Sequence, residues 1–325
     1  MTNFSNKTPT VLLAGASGYI GKQVETKLRN NGYRVLSIYR KGHYNAKNNQ
    51  KSNIEVEFKD PKSIENFRQK CPSIDIIISC VASRTGGKLD SWAVDFEVNN
   101  ILLNLALEKK VKQFILLSAI CVQKPMVEFQ HAKLAFETLL IKSKLSYSIV
   151  RPTAFFKSLS GQIDRIRLGK KFILFDQGEN TLCKPISEND TANYILACIT
   201  NKNLHNKILP IGGSTSPISS RTIGEIMFSA LDKKPKFKSV PSKGFRIAEK
   251  ALSPLALFSQ KIQDLQEFLR IANYYATQSM LCWNQETQSY DPDITPEYGN
   301  DTLEEHFQKL ASNNSTEDHG SHKLF

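Results

Sequence analysis

A glycine-rich segment near the start of the chain constrains the fold more than any other feature. The segment Gly15-Ala16-Ser17-Gly18-Tyr19-Ile20-Gly21 follows an apolar run at residues 10–14 and opens an amphipathic pattern over residues 19–31. This order predicts a strand, a tight turn and a helix. Small residues at such a turn let a pyrophosphate approach the backbone amides at the positive end of the helix. The sequence therefore predicts a dinucleotide-binding loop, with a glycine turn that binds no ligand as the alternative.

Strand-like and helix-like patterns alternate through the first two thirds of the chain. Apolar runs lie at residues 10–14, 33–39, 54–58, 74–79, 113–119 and 146–150, and helical patterns lie at residues 19–31, 62–70, 92–110 and 128–142. Alternation at this spacing is typical of an α/β fold with a parallel, doubly wound sheet of Rossmann type. Short strands near Phe172 and Cys183 and a further one at residues 207–211 suggest that the sheet continues.

The pattern changes after Gly212 and becomes mainly helical. Helices are predicted at residues 221–231, 243–252, 260–273 and 301–311. We therefore expect an NAD(P)-binding Rossmann domain at residues 9–212 and a smaller, mainly helical substrate-binding region at residues 213–312. Residues 1–8 are expected to form a flexible tail, and the polar residues 313–325 a disordered one.

Composition and charge narrow the class of protein. The chain has 325 residues, of which 40% are hydrophobic and 23% charged, as is typical of a globular protein. Its net charge of +12 permits an anionic partner, but no nucleic-acid-binding motif accompanies it, so nucleic acid is not an expected partner. The six cysteines are scattered, which favours reduced thiols and no metal site. No apolar run approaches the roughly 18 residues of a membrane span, and residues 1–8 lack the apolar core of a secretory signal.

Two side chains that follow neighbouring strands bear on the choice of dinucleotide. Arg40 ends the second strand, 19 residues after Gly21, where an acidic residue would bind the ribose hydroxyls of NAD. A guanidinium grips phosphate and stacks on adenine, so Arg40 predicts NADPH; a solvated arginine is the alternative. Asp60 is interpreted as an acceptor for the adenine amino group, as the N-cap of a helix that begins at Pro61, or as both. Ala82, after the fourth strand, is assigned to the cofactor edge of the sheet.

The segment after the fifth strand has the pattern of a reductase site with one departure. Reductases with this kind of cofactor site carry Tyr, three residues and then Lys, whereas this chain has Phe129-Gln130-His131-Ala132-Lys133. The predicted catalytic residues are Lys133, which would hold the nicotinamide ribose hydroxyls, and Ser118, which would face the nicotinamide. An exposed helical lysine and a structural serine are the alternatives. Phe129 cannot donate a proton, and His131 is more often solvent-facing than a proton donor at such a position.

Aromatic and basic residues near the same edge are candidates for binding a substrate. Phe155 and Phe156 follow the sixth strand, where ligands of open α/β sheets bind, and they suit a flat apolar molecule; core packing is the alternative. Phe129, Arg84 in the loop after the fourth strand, and Trp92 are assigned as further substrate contacts. The basic, apolar stretch at residues 243–263 is interpreted as a lid, a membrane-facing helix or ordinary packing.

Several blocks of the chain together resemble one family. The block Ser118-Ala119-Ile120-Cys121-Val122-Gln123-Lys124-Pro125 resembles the signature of the NADPH-dependent divinyl chlorophyllide 8-vinyl reductases, which are atypical members of the short-chain dehydrogenase superfamily. The resemblance spans roughly residues 10–309, and residues 147–159 form a second specific block. Residues 243–263 depart from it, because they are more polar than is expected of the family.

The resemblance implies a reaction that accounts for Phe129. The family reduces the 8-vinyl group of divinyl chlorophyllide or protochlorophyllide a to an ethyl group in (bacterio)chlorophyll biosynthesis. Hydride adds to the terminal carbon and the charge spreads into the macrocycle, so no positioned acid is needed. The magnesium belongs to the tetrapyrrole substrate. The expected location is the cytoplasm of a phototrophic bacterium, with peripheral contact to the photosynthetic membrane, or the chloroplast of a eukaryote.

Two other functions remain open at this stage. Superfamily members that lack the tyrosine also act as non-catalytic NADPH-binding redox sensors or photosynthetic assembly factors. A reductase of a different conjugated alkene, such as a phenylpropanoid, is the other alternative.

Overall fold

Seven parallel strands of the described residues form one central sheet. The computed structural model describes residues 8–40, 53–256 and 258–312. The strands of this sheet are β1 (Thr10–Ala14), β2 (Arg34–Arg40), β3 (Asn53–Val56), β4 (Ile76–Ser79), β5 (Gln113–Leu117), β6 (Tyr147–Pro152) and β9 (Lys207–Ile211). Their spatial order is β3-β2-β1-β4-β5-β6-β9. Strands β2 and β3 are added on one side of β1 and strands β4 to β9 on the other, so the strand order reverses between β1 and β4. The predicted Rossmann-type doubly wound fold is confirmed.

Helices cover both faces of the sheet because each strand is apolar on both sides. The helices of this part are α1 (Tyr19–Asn30), α2 (Pro61–Lys70), α3 (Lys88–Ser91), α4 (Asn99–Glu108), α5 (Glu128–Lys142) and α8 (Glu188–Thr200). Leu12 of β1 packs in one core with α2, α4 and α5. The next residue, Leu13, packs in a second core with α1 and α8. This alternation along one strand fixes which helices reach each face.

The helix predicted at residues 92–110 begins earlier and contains a widened turn. Residues Lys88–Ser91 form α3, Trp92–Val98 adopt π-helical geometry, and α4 continues the same helical run. π-Helical turns are rare and often mark functional sites. Apolar periodicity does not distinguish such a turn from an α-helix, so the π-helical geometry could not be predicted from the sequence.

A second group of elements packs beside the sheet around its own core. Its helices are α6 (Phe156–Leu159), α7 (Ile163–Arg167), α9 (Ser220–Ala230), α10 (Lys243–Ala256), α11 (Gln260–Thr277) and α12 (Leu303–Ser312). The four longer helices α9–α12 were predicted. Phe156, Phe172, Phe228 and Phe307 lie in the buried core of this group.

Short strands link this second group to the segment that precedes Gly212. They are β7 (Phe172–Phe175), β8 (Leu182–Cys183), β10 (Ile218–Ser219), β11 (Phe237–Val240), β12 (Cys282–Asn284) and β13 (Ser289–Asp291). β7 pairs with β11 and β8 with β10. The expectation that the strands near Phe172 and Cys183 extend the central sheet is therefore wrong, although β9 does extend it. A pairing partner more than 30 residues away leaves no trace in local periodicity.

The predicted division at residue 212 and the predicted tails stay predictions. Residues 1–7 and 313–325 lie outside the described residues.

Gly21 allows the turn after β1 to fold back on the start of α1. A Cβ placed at Gly21 would lie 2.0 Å from the Gly15 carbonyl oxygen. We therefore expect Gly21→Ala to lower the free energy of unfolding by about 1–3 kcal/mol, because the backbone has to move to relieve this overlap. Urea unfolding followed by circular dichroism measures the change.

Gly244 in α10 is the matched control, because a Cβ there meets no atom within 4 Å. Gly244→Ala should leave stability unchanged or raise it by up to about 1 kcal/mol, since alanine favours the helix. Equal destabilisation by both substitutions would contradict the role assigned to the close contact at Gly21.

Candidate functional site

The glycine-rich turn lies at the carboxyl edge of the sheet where the strand order reverses. Gly15 has a φ of +83°, and a Cβ there would lie 2.7 Å from the carbonyl carbon and oxygen of Cys80, just after β4. Gly18 precedes α1 and makes no side-chain capping bond, and the first turn of α1 contains no acidic residue. A helix N-terminus with no capping side chain and no acidic residue in its first turn suits an anion such as a pyrophosphate. Within the loop, Ala16 and Ile20 are buried and Ser17 is exposed.

Tyr19 connects the loop to the segment after β6. Its ring packs edge-on against Phe155, with a centroid separation of 6.3 Å, and its hydroxyl donates to Glu188. The Lys157 ammonium lies 5.2 Å from the centre of the Tyr19 ring. One of the two predicted substrate aromatics, Phe155, is thereby placed beside the glycine-rich loop, with a cation next to it.

The other predicted cofactor residues follow strands along the same edge. Arg40 ends β2 with its side chain exposed, and Ala82 is exposed after β4. An Asp60 carboxylate oxygen accepts from the Lys62 amide at 3.0 Å and caps α2. This is the helix-capping interpretation of Asp60, and its contact with adenine stays a prediction.

Lys133 on α5 is held by an acidic residue that the sequence did not indicate. Its Nζ lies 2.8 Å from Oδ1 of Asp95, and the two side chains are 11% and 0% exposed. Lys133 is therefore not the exposed helical lysine of the alternative interpretation. One turn earlier on α5, Phe129 is half-buried and packs against a cluster that includes Val122 and Ile271. His131 is exposed to solvent.

Ser118 points into a buried charge network. Its hydroxyl donates to Glu137 Oε1 at 2.5 Å, and Arg151 donates to the same oxygen from Nε at 3.1 Å and to Oε2 from Nη2. Glu137 is buried. These bonds give Ser118 a structural role, which was the alternative interpretation of this residue. A position of its hydroxyl facing the nicotinamide stays a prediction.

The remaining predicted substrate contacts, Trp92, Arg84 and Phe156, lie in three different environments. Trp92 donates from Nε1 to Glu128 Oε2 at 3.0 Å and so lies at the start of α5. Arg84 is exposed, and its backbone amide donates to Asp90 at 2.9 Å. Phe156 is 2% exposed and packs against the ring of His306. Its burial in the core of the second group of elements matches the packing alternative that the sequence left open.

α11 lies across the beginning of α5. The buried Glu267 carboxylate accepts from the backbone amide of Glu128 at 2.8 Å, and burial raises the pKa of Glu267. Val127, the residue before α5, has an apolar side chain that cannot cap the helix, so Glu267 supplies the acceptor from another element. Ile271 and Tyr274 of α11 are buried in the cluster that Phe129 joins. α11 thus fixes the entry to the helix that carries Phe129 and Lys133.

The signature block also anchors the C-terminal hairpin β12–β13. The Gln123 side chain donates to the Leu281 carbonyl at 2.6 Å and accepts from the Trp283 amide at 2.8 Å. The Lys124 ammonium lies 3.9 Å from the centre of the Trp283 ring. Gln123 and Lys124 of this block therefore hold the β12–β13 hairpin against the turn after β5.

Residues 8–40, 53–256 and 258–312 contain neither a metal-binding cluster nor a membrane-spanning helix. No group of three or more His, Cys, Asp or Glu side chains in these ranges is arranged to hold a metal ion. No helix within them combines the length and apolarity needed to cross a membrane. Burial raises the pKa of Cys80 to about 12 and that of Cys121 to about 11, so both thiols near Lys133 stay protonated at neutral pH.

Comparisons with known proteins agree with this geometry. A family model described as NAD(P)H-binding matches residues 15–202. The chloroplastic divinyl chlorophyllide a 8-vinyl-reductase of Arabidopsis thaliana is 40% identical over 331 residues, covering 95% of this chain and 79% of that protein. The photosystem II assembly factor Ycf39 of Cyanophora paradoxa is 25% identical over 208 residues, covering 64% of each chain. The NADPH-dependent quinone oxidoreductase QOR2 of Escherichia coli, solved with NADPH, shares the fold, with a TM-score of 0.66, 13% identity and coverage of 92% of this chain and 99% of that one.

These matches confirm both the NAD(P)H-binding fold and the reductase family that the sequence predicted. The NAD(P)H-binding match covers more than half of the chain, and the reductase match covers nearly all of it. This chain belongs to the divinyl chlorophyllide a 8-vinyl reductases, a family built on an NAD(P)H-binding Rossmann fold.

Proposed function

We propose that this chain catalyses the NADPH-dependent reduction of the 8-vinyl group of divinyl chlorophyllide or protochlorophyllide a to an ethyl group. The observation that carries the proposal is the pair formed by Lys133 and Phe129 on one face of α5. The lysine that would serve a nicotinamide cofactor is retained and mostly shielded from solvent, and the residue that would protonate a carbonyl oxygen is a phenylalanine. The relatives at about 40% identity carry the name of this reaction.

The residues around the glycine-rich loop fit a dinucleotide. A Cβ at Gly15 or Gly21 would overlap backbone atoms, so the loop keeps its amides close to the edge where a pyrophosphate would lie. Arg40 at the end of β2 is suited to a 2′-phosphate, which favours NADPH. Lys133 would hold the nicotinamide ribose. When bound, NADPH supplies the hydride.

The absence of an acid at position 129 suits a carbon–carbon double bond. A ketone becomes an alkoxide on reduction and needs a nearby proton donor. A vinyl group conjugated to a tetrapyrrole spreads the negative charge into the ring, so the protein has mainly to align the cofactor with the terminal carbon. Phe129 and Phe155 offer apolar surface for a flat macrocycle. Lys157, whose ammonium lies over the Tyr19 ring that packs on Phe155, offers a cation for its propionate.

The test is a pigment assay with purified protein, NADPH and divinyl chlorophyllide. We expect conversion to the monovinyl product with no other redox partner. Turnover with reduced ferredoxin but none with NADPH would contradict the proposal.

Two substitutions on α5 separate cofactor binding by Lys133 from proton donation at position 129. Lys133→Ala should lower the rate about 100-fold, because misplacement of the cofactor by roughly an ångström has effects of this size. Phe129→Tyr should give no gain in rate, because the reaction does not need an acid there. Initial rates of product formation measure both, and a large gain in Phe129→Tyr would show that a hydroxyl at this position is useful.

A second candidate function is a non-catalytic NADPH-binding module. Partial similarity to the Ycf39 assembly factors and the missing tyrosine favour it. This alternative requires NADPH binding without any oxidation when tetrapyrrole is added. NADPH absorbance at 340 nm, followed with and without divinyl chlorophyllide, separates the two functions, and the reductase requires a decrease that depends on the pigment.

We also propose that the chain contacts the photosynthetic membrane peripherally, in a chloroplast or in the cytoplasm of a phototrophic bacterium. The segment from α10 to α11 exposes Ile247, Leu255 and Phe258, the last of which is 87% exposed. Lys243 and Lys250 lie on the same helix as Ile247. Apolar side chains together with basic ones suit the interface of an anionic bilayer.

Flotation with vesicles that contain anionic lipid tests this contact. Phe258→Glu should abolish co-flotation, because it places a carboxylate at the apolar surface. Leu168→Glu is the control, since Leu168 is 73% exposed and lies in the loop between α7 and β7, outside this segment of the chain. Equal flotation of wild type and Phe258→Glu would rule the surface out.

A further inference from the structure

The ion pair between Lys133 and Asp95 is buried at the edge where the cofactor would bind. The carboxylate is fully buried and accepts from the Lys133 ammonium at 2.8 Å. Both of its oxygens also lie 3.4 Å from the backbone amide of Ser83, in the loop that carries Ala82. One carboxylate therefore connects three elements: the π-helical segment, the loop after β4, and α5.

The π-helical segment sets the position of Asp95. Residues Trp92–Val98 form this segment, and Asp95 lies at its centre. The Asn99 side chain donates from Nδ2 to the Asp95 carbonyl at 2.9 Å and accepts from the Ser79 hydroxyl at 2.6 Å. Asn99 and Ser79 are buried, so the backbone at Asp95 is fixed to the end of β4. The rare geometry is thus used to aim a carboxylate at α5.

A buried ion pair of this kind contributes little to net stability, because removing both charges from water costs about as much as their attraction returns. Its clearer effect is geometric, since a charge held by two donors has few alternative positions. We propose that Asp95 is a positioning residue that holds the Lys133 ammonium at the place where it meets the nicotinamide ribose. This inference rests on the role proposed for Lys133 in binding NADPH, and it adds a residue outside the Tyr-x-x-x-Lys pattern.

Three titratable groups of the described residues interact with the Lys133 ammonium, and each belongs to a different element. Asp95 is on the π-helical segment, Cys80 follows β4, and Cys121 lies in the turn after β5. Burial raises the pKa of Cys80 to about 12 and that of Cys121 to about 11, against a smaller opposing effect of the Lys133 charge. Both thiols are therefore uncharged from pH 7 to pH 9, and Asp95 is the anion that accompanies Lys133 among these three groups.

The test is a double-mutant cycle on NADPH binding, measured by fluorescence titration of the full chain without tetrapyrrole. Asp95→Asn and Lys133→Met should each weaken binding about tenfold, and the double variant should be no weaker than the weaker single variant. Glu108→Gln is the control, because Glu108 ends the same helical run as Asp95 and its ion pair with Arg68 of α2 is exposed. Its dissociation constant should stay within about twofold of wild type.

The pH profile gives a readout that a purely structural role would not change. In Asp95→Asn the buried lysine has no counter-ion, and burial favours the neutral amine. NADPH binding by Asp95→Asn should therefore weaken further from pH 7 to pH 9, while binding by wild type and by Lys133→Met changes little over this range.

Two outcomes would overturn the proposal: wild-type affinity in Asp95→Asn, or effects of Asp95→Asn and Lys133→Met that multiply in the double variant. If Asp95→Asn does not fold, Asp95→Ser takes its place with the same expectations, since the smaller side chain leaves room for water. Because no pigment is present, these results do not depend on whether the chain reduces a vinyl group.

Discussion

The contact between the turn after β1 and the end of β4 is the constraint on which the rest of the site depends. At Gly15 the backbone approaches Cys80 so closely that no side chain fits, and at Gly21 it folds back on Gly15 itself. This brings the N-terminus of α1 to the point where the strand order reverses, so this helix end and the loop after β4 share one edge of the sheet. The loop after β4 is in turn where Asp95 binds the backbone.

Acidic residues then fix α5 relative to that edge. Asp95 holds Lys133 near the middle of the helix, Glu137 holds Ser118 and Arg151 further along, and Glu267 from α11 binds the first turn. All three carboxylates are buried. Asp95 and Glu267 belong to other elements that contact α5, and Glu137 belongs to α5 and contacts residues after β5 and in β6. Helix α5 is therefore fixed through three buried carboxylates, none of which contacts it at position 129.

The sequence predicted most of the fold, because the alternation of strands and helices and the spacing of glycines are local patterns, and the roles of the site residues stay predictions. Strand and helix alternation gave the Rossmann sheet, and the glycine spacing gave the loop. The acidic partners were missed for a physical reason: Asp95 and Glu267 are single carboxylates within amphipathic helices, and only tertiary packing shows that they are buried. The pairing of β7 with β11 and the burial of Phe156 were likewise decided by contacts between segments far apart in the chain.

The central claim is that hydride from NADPH is added to the outer carbon of the vinyl group without an acid from position 129. The most direct measurement is the position of isotope in the ethyl product, by NMR and mass spectrometry, after reaction with NADPH deuterated on its transferable face. The account predicts one deuterium in the terminal methyl group, and, for unlabelled NADPH in deuterated water, one solvent deuterium on the adjacent carbon. Label from NADPH on the inner carbon, or no label from NADPH in the product, would contradict it.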